Sequence, residues 1–177
     1  AGGPRGISVA CQERAGRVAG ALGSAEEFVD DRKVVVILGD NRLGGSIRAA
    51  VRSFEEQDKG AKILLKEVPD PENYGVPILD GDRILTIEEK PTKPATHLAV
   101  IGVYMYDPSV FNVVRTLSPS GRGELEMTDV NNAYIEAGSM TYAVLGGSWA
   151  DAGASIDVYL AANNSAAHGG LNKTEPL

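Results

Sequence analysis

Short apolar runs alternate with amphipathic segments along the first half of the chain. The run 34–38 is apolar throughout and the run 61–68 is mostly apolar, whereas the segment 46–57 repeats its apolar residues at helical intervals. Short apolar runs of this kind predict strands that are buried on both faces, and the helical spacing predicts an amphipathic helix between them. Strands joined by helices of about 12 residues favour right-handed crossovers. The pattern therefore predicts an α/β fold with a mainly parallel mixed sheet and helices on both faces.

The pattern changes after Pro69. Two short β-type runs flank Asp80-Gly81-Asp82, which is typical of a β-hairpin. Further apolar runs predict strands at 97–107 and 140–146, and helical spacing predicts helices at 17–29, 109–117, 124–138 and 155–164. The segment 165–177 has no periodicity. We therefore expect one domain over residues 1–164, followed by a loose C-terminal tail at 165–177.

Composition narrows the classes of partner. The chain of 177 residues carries 17 Lys and Arg against 24 Asp and Glu, a net charge of -7, and no basic run is interleaved with aromatic residues. This balance argues against nucleic acid as a partner. The single cysteine cannot form an internal disulfide, and no paired Cys/His spacing indicates a zinc site. The lone cysteine leads us to expect a cytoplasmic protein. No apolar run approaches the length of a membrane span, so we expect no membrane partner.

Polar residues follow several of the predicted strands. Asp40 and Asn41 end the run 34–38, and ligands of open α/β sheets bind beyond the carboxyl ends of strands. An aspartate there can equally cap the next helix. Four other polar clusters, each weak alone, stand at 74–76, 88–91, 121–131 and 149–153. A Glu-Lys pair before proline is commonly a solvated strand end, and a Trp before Asp is commonly a packing residue.

Together and in this order, the clusters resemble the sugar nucleotidyltransferases, most closely the glucose-1-phosphate thymidylyltransferases. The resemblance runs from about residue 7 to about residue 164 and includes VVVILGDN, EVPDPENYGV, IEEKP, SGRGELEMTDVNNAYIE and WADAG. It implies a Rossmann-like nucleotide-diphosphosugar transferase fold. It also implies Mg²⁺-dependent transfer of a nucleotidyl group, expected to be dTMP from dTTP, to a sugar-1-phosphate, expected to be glucose-1-phosphate, with release of pyrophosphate. Such chemistry needs a hard cation held by carboxylates and positive groups on the phosphates.

The resemblance implies a role for individual residues. Asp40 and Asp151 would hold Mg²⁺, Lys90 would contact the sugar phosphate, and Arg122 would add a second positive charge. Gln12 matches the residue that reads the pyrimidine base. The expected sugar pocket is completed by Asn41, Tyr74, Gly75, Glu89, Val100, Tyr104 and Trp149.

The sequence also departs from the family pattern. Arg17 stands at a glycine position of the base-reading loop, and Gly20 stands at a glutamine position. The N-terminal glycine-rich segment with Gly-Thr-Arg, whose backbone amides cradle the triphosphate, has no counterpart. We therefore expect an N-terminally truncated domain lacking roughly sixty residues of a βαβ unit and poorly active alone. The alternative is a non-catalytic remnant that binds sugar phosphate or associates with other subunits, and self-association into a homo-oligomer is left open.

Overall fold

The computed structural model of the chain describes residues 6–12, 17–118 and 125–168. Its helices are α1 (Arg17–Gly23), α2 (Glu26–Val29), α3 (Arg48–Glu56), α4 (Val110–Thr116), α5 (Met127–Glu136) and α6 (Ile156–Ala167), with a 3-10 turn at Pro71–Asn73. Its strands are β1 (Val34–Ile37), β2 (Asn41–Leu43), β3 (Ala61–Glu67), β4 (Gly75–Asp80), β5 (Arg83–Glu89), β6 (Leu98–Tyr106), β7 (Met140–Val144) and β8 (Trp149–Asp151). Within the described residues, no helix has the length and apolar character needed to cross a membrane.

Among the described residues, strand β6 is the centre of a six-stranded sheet in which five strands have the order β5-β4-β6-β3-β7 and the sixth, β1, also pairs with β6. Strand β3 pairs with β6 along one edge, from Ala61 opposite Tyr106 to Glu67 opposite Leu98. The other edge of β6 is shared: β1 pairs with residues 103–106, and β4 pairs only through Gly75 opposite Val100. The end of β1 and the start of β4 are therefore separated by a short gap over the middle of β6.

The α/β class and the mixed sheet are as predicted, but parallel pairing is scarcer than the sequence pattern indicated. Among the described strands of this sheet, β3 and β7 form the one parallel pair, and the other pairs are antiparallel. Strands β1 and β3 do run in the same direction, as their connection through α3 favours. They are not neighbours, however, because β6 lies between them and runs opposite to both. A helical crossover favours a common direction for the two strands that it joins, but it does not determine whether another strand lies between them.

Helices cover both faces of the sheet, as predicted. One face packs side chains of α1, α4 and α5 against β3 and β6, with Tyr106 fully buried at its centre. The other face packs α3 through Phe54 against Leu64 and Met105. Successive residues of β6 contribute to opposite faces because side chains alternate along a strand. Two buried faces explain why β6 is apolar along nearly its whole length.

Local signals at the hairpin and the C-terminus agree with the structure to different extents. Strands β4 and β5 form the predicted hairpin, with Gly81 at a positive φ of 58° in its turn. Helix α6 begins at a serine N-cap, where Ser155 Oγ accepts a hydrogen bond from the Val158 amide. It continues to Ala167, past residue 164, where the sequence pattern had ended the domain.

Candidate active site

A pocket of about 260 Å³ lies over the middle of β6, in the gap between the end of β1 and the start of β4. Its floor includes Val100 and Gly102 of β6, and Leu38 lies at its β1 side. Nine residues predicted from the sequence line it: Asn41, Tyr74, Gly75, Glu89, Lys90, Val100, Tyr104, Trp149 and Asp151. The structure thus brings together, from five strands and their adjoining residues, most of the polar clusters that looked weak one at a time.

Glu89 lies at the end of β5, directly opposite Gly75 of β4. Its Oε2 atom accepts a hydrogen bond of 2.6 Å from the hydroxyl of Thr128 on helix α5. A methyl group on Gly75 would lie 3.6 Å from that oxygen and only 3.2 Å from Ile87. Glycine at position 75 therefore keeps space open beside a carboxylate that can accept hydroxyl hydrogen bonds.

Lys90 follows Glu89 in an unusual backbone conformation. Its φ is +48°, in the left-handed region that non-glycine residues rarely adopt, and its amide donates a 3.0 Å hydrogen bond to the Tyr74 carbonyl. That bond closes the end of the β4–β5 pair and leaves the lysine at the pocket wall. Residues held in sparsely populated backbone regions are concentrated at functional sites.

Asp40 and Asp151 approach each other beside a two-stranded ribbon formed by β2 and β8, in which Asn41 pairs with Asp151. A methyl group on Gly153 would lie 2.7 Å from Asp40 Oδ2 and 3.3 Å from Asp151 Oδ1, so these two oxygens are at most about 6 Å apart. The Gly153 amide donates a 3.0 Å hydrogen bond to Asp151 Oδ1. The two carboxylates form one acidic site, which Asp151 connects to the pocket.

Burial raises the pKa of the Asp151 carboxyl, and the negative charge of Asp40 raises it further, whereas the Gly153 amide and the Lys90 ammonium act in the opposite direction. The carboxylate therefore lies within the electrostatic field of both Asp40 and Lys90. Within the described residues, no group of three or more His, Cys, Asp or Glu side chains could hold a metal. Two carboxylates do fit Mg²⁺, because this ion keeps several waters and takes substrate phosphate oxygens as ligands.

Asp40 faces a neighbouring cavity of about 510 Å³ rather than the main pocket. Asn41 lines both spaces. The acidic site therefore lies between the two cavities, with Asp151 on the side of the main pocket.

Helix α5 supplies site residues to which the sequence analysis gave no role. Met127, Thr128 and Asn131 line the pocket, and Asn131, only 1% exposed, accepts a 2.6 Å hydrogen bond from the hydroxyl of Tyr106. A signal was available. Thr128 and Asn131 are polar, stand three residues apart and therefore share one helix face, which is the face that a buried helix reserves for apolar residues.

Tyr104 is one of the predicted residues that line the pocket. Its ring stacks on Tyr106 with centroids 6.2 Å apart, and Tyr106 in turn stacks on Tyr134. Burial raises the pKa of Tyr104 well above its usual range, and the charges of Glu89 and Asp40 add to the effect. Tyr104 is therefore a neutral residue of the pocket lining at physiological pH.

Besides Asp40, three further positions singled out from the sequence are not placed in this pocket. Gln12 is exposed and lies beside α1, where a methyl group on Gly20 would come within 2.7 Å of its Nε2 atom. Arg122 and the side chain of Arg17 lie outside the described residues. The predicted base-reading role of Gln12 and the phosphate role of Arg122 stay predictions.

Comparison with known proteins gives this geometry a context. The family described as Nucleotidyl transferase matches residues 5–168. The low-salt glycan biosynthesis nucleotidyltransferase Agl11 of Haloferax volcanii is 42% identical over 143 residues, which cover 80% of this chain and 40% of that protein. The glucose-1-phosphate thymidylyltransferase of an Actinoplanes strain is 41% identical over 155 residues, which cover 85% of this chain and 51% of that protein. The chain thus spans about half the length of the curated relatives it matches.

Solved structures confirm the Rossmann-like fold class. A Bacillus anthracis protein, proposed to be a glucose-1-phosphate thymidylyltransferase and crystallised with sucrose, has a TM-score of 0.81 and 46% identity, over 88% of this chain and 63% of that one. A UDP-glucose pyrophosphorylase in complex with UDP-glucose has a TM-score of 0.78 over 89% of this chain and 64% of its own, at 21% identity. The second likeness is one of fold alone.

Proposed function

Since this chain belongs to the nucleotidyl transferase family, we propose that its pocket serves the transfer of a nucleotidyl group from a nucleoside triphosphate to a sugar-1-phosphate. The proposed substrates are dTTP and glucose-1-phosphate, which several relatives at 35–41% identity support by their name, glucose-1-phosphate thymidylyltransferase. The observation that carries the proposal is that Glu89, Lys90 and Asp151 line one pocket, while Asp40 lies next to Asp151 at its edge.

In the proposed reaction a phosphate oxygen of the sugar-1-phosphate attacks the α-phosphorus of the triphosphate. The new P–O bond forms as the bond to the β-phosphate breaks, and pyrophosphate leaves with the electron pair. Mg²⁺ held by Asp40 and Asp151 would neutralise charge on the reacting phosphates. Lys90 would bind the sugar phosphate as a point charge, beside the carboxylate of Asp151 whose field it already shares.

The sugar would occupy the pocket floor. Glu89 would accept hydrogen bonds from its hydroxyls, and the hydrogen bond from the Thr128 hydroxyl to Glu89 Oε2 would hold that carboxylate in place. Tyr74 and Trp149, whose rings meet edge to face with centroids 5.3 Å apart, would form an apolar wall against the sugar ring. Such residues position the substrate, which is the larger part of catalysis in phosphoryl-type transfer.

The test is calorimetric titration of the chain with glucose-1-phosphate, which needs no turnover. We expect Lys90→Met to weaken binding by about tenfold or more, because a charge-assisted phosphate contact is lost. The matched control is Lys93→Met, an exposed lysine three residues away. Equal affinity in the wild type and Lys90→Met would remove Lys90 from the site.

Specificity is tested by pyrophosphate release with Mg²⁺, glucose-1-phosphate and either dTTP or UTP. Faster release with UTP would overturn the dTTP assignment but keep the reaction class. A cytoplasmic location and a homo-oligomer stay predictions, and gel filtration at several concentrations tests the second.

A further inference from the structure

The side chain of Asn41 makes three hydrogen bonds at the point where β2, β6 and β8 meet. Its Oδ1 atom accepts from the indole Nε1 of Trp149 at 2.7 Å and from the backbone amide of Gly102 at 3.1 Å. Its Nδ2 atom lies 3.0 Å from Asp40 Oδ1 and donates to it. One amide group therefore contacts the aromatic wall of the pocket, the central strand and one carboxylate of the acidic site.

The chemistry of the partners determines the orientation of this amide. The indole N–H of Trp149 and the backbone N–H of Gly102 can only donate, so the oxygen of Asn41 must face them. The amide nitrogen then faces Asp40, whose carboxylate can only accept. Both lone pairs of the Asn41 oxygen are in use, so this oxygen is not an open ligand for a sugar hydroxyl.

The packing around Asn41 leaves little freedom for a different arrangement. A methyl group on Gly102 would lie 2.6 Å from Asn41 Nδ2, so any side chain there would force a neighbouring side chain to shift. The backbone of Asn41 pairs with Asp151, and the neighbouring Leu43 pairs with Trp149. The amide is thus held between β6 and the β2–β8 ribbon, with both acids of the acidic site adjoining it.

We infer that Asn41 is a positioning residue that holds the Asp40 carboxylate for the cation and couples the acidic site to Trp149 at the wall of the sugar pocket. The cation rests on the proposed function. Binding a divalent ion draws electron density from the Asp40 carboxylate, which changes the hydrogen bond from Asn41 Nδ2. Hydrogen bonds in a chain polarise one another, so the change passes to the indole N–H of Trp149. Substrate at the wall and cation at the acids would then influence each other.

The chain offers a built-in probe, since Trp149 is its one tryptophan. Its indole N–H gives a single resonance in a ¹H–¹⁵N correlation spectrum. We propose titrating the 177-residue chain with Mg²⁺ alone while following this resonance, and measuring Mg²⁺ binding separately by calorimetry. In the wild type, the resonance should shift and saturate in step with the calorimetric curve. In Asn41→Ala, Mg²⁺ affinity should fall about tenfold, as it does when a hydrogen-bond partner of a metal ligand is removed, and the residual binding should leave the indole resonance in place.

Two controls identify the cause. Tyr74→Phe removes a hydroxyl of the pocket, keeps the aromatic ring that contacts Trp149 and leaves the hydrogen bonds of Asn41 intact. This variant should therefore retain the shift of the indole resonance. Asp151→Asn should abolish both binding and shift if the ion occupies the acidic site. Circular dichroism checks that Asn41→Ala is folded, and the wild-type titration remains decisive if it is not.

The outcomes separate this inference from the proposed function. Mg²⁺ binding by the wild type without an indole shift overturns the coupling alone, as does an unchanged shift in Asn41→Ala. An absence of calorimetric Mg²⁺ binding in the wild type overturns the cation assignment of the proposed function and the coupling with it.

Discussion

The hydroxyl of Thr128 donates a 2.6 Å hydrogen bond to Oε2 of Glu89, joining the first turn of helix α5 to the last residue of strand β5. The bond crosses the pocket wall and joins two residues that are 39 positions apart in the sequence. It restricts the rotamers of the carboxylate before any ligand arrives. Such preorganisation lowers the entropy that a sugar ligand must lose on binding.

Replacing Thr128 by valine removes this donor with almost no change of volume. We expect Thr128→Val to weaken glucose-1-phosphate binding about tenfold, because a hydrogen bond to a charged group typically contributes about 1.5–3 kcal/mol and part of that is recovered from water. Thr128→Ser, which keeps the hydroxyl, should bind nearly as the wild type does. Calorimetry measures both variants, and equal affinity in the valine variant would contradict an orienting role.

Gly102 is a second site where a small change should have a large effect. A methyl group there would meet Asn41 Nδ2 at 2.6 Å and Leu38 Cδ1 at 2.7 Å inside a buried strand. We expect Gly102→Ala to lower the free energy of unfolding by about 1–3 kcal/mol, the usual cost of overpacking. Gly146→Ala is the control, since nothing lies within 4 Å of the added methyl group. Urea denaturation that finds both variants equally stable would show that the strand relaxes freely.

As the pH falls, cation binding should weaken at a higher pH than the one at which an ordinary aspartate is protonated. The raised pKa of Asp151, due to burial and then to Asp40, means that protons compete with Mg²⁺ above the usual aspartate value of about 3.9. Lys90→Met should raise this pKa further, because the lysine charge lowers it. The ¹³C chemical shift of the carboxyl carbon, followed against pH, measures the change, and an unchanged Asp151 titration in the variant would contradict the Lys90 interaction.

The raised pKa of Asp151 also determines how this residue changes the stability of the fold with pH. The folded state holds the Asp151 proton more tightly than the unfolded state does, so this group favours folding increasingly as the pH falls through its folded pKa. We therefore expect Asp151→Asn to be slightly more stable than the wild type at neutral pH in the absence of cation. Thermal unfolding with and without Mg²⁺ checks this, since Mg²⁺ should stabilise the wild type alone.

Asp107 lies outside the candidate site, and its pKa is shifted in the opposite direction to that of Asp151. It is buried, which raises its pKa, but hydrogen bonds from Ser109, the Gly60 amide and Tyr134 outweigh that effect and leave the pKa low. Its stabilisation is present above the unfolded-state pKa and is lost as the pH falls through the folded one. Asp107→Asn should cost about 2 kcal/mol at neutral pH.

The control for this variant is Asp58→Asn, which alters an exposed aspartate. Urea denaturation at neutral and acidic pH measures both variants. A difference between Asp107→Asn and the wild type that does not shrink in acid would show that the packing of the side chain, and not its charge, provides the stability.

The amino-acid sequence by itself determined the local elements of this protein. Apolar periodicity predicted the helices and the strands of the main sheet, although not β2 or β8. The Asp-Gly signal predicted the hairpin, and the ordered motifs predicted a sugar nucleotidyltransferase, which the family match confirms at the level of the nucleotidyl transferases. These signals are readable because each depends on residues within a few positions of one another. The motifs also identified nine residues that line one pocket, although their individual roles stay predictions.

Only the tertiary structure decided which strands are neighbours and which side chains meet. Strand β6 lies between β1 and β3, so the sheet has fewer parallel pairs than the helical crossovers indicated. Thr128 reaches Glu89, and Asn41 joins Trp149 to Asp40, through contacts that follow from this arrangement. Local spacing could not have predicted them, because the free energy that selects a strand's neighbour comes from burying both faces of the sheet at once. That quantity depends on the packing of the whole chain.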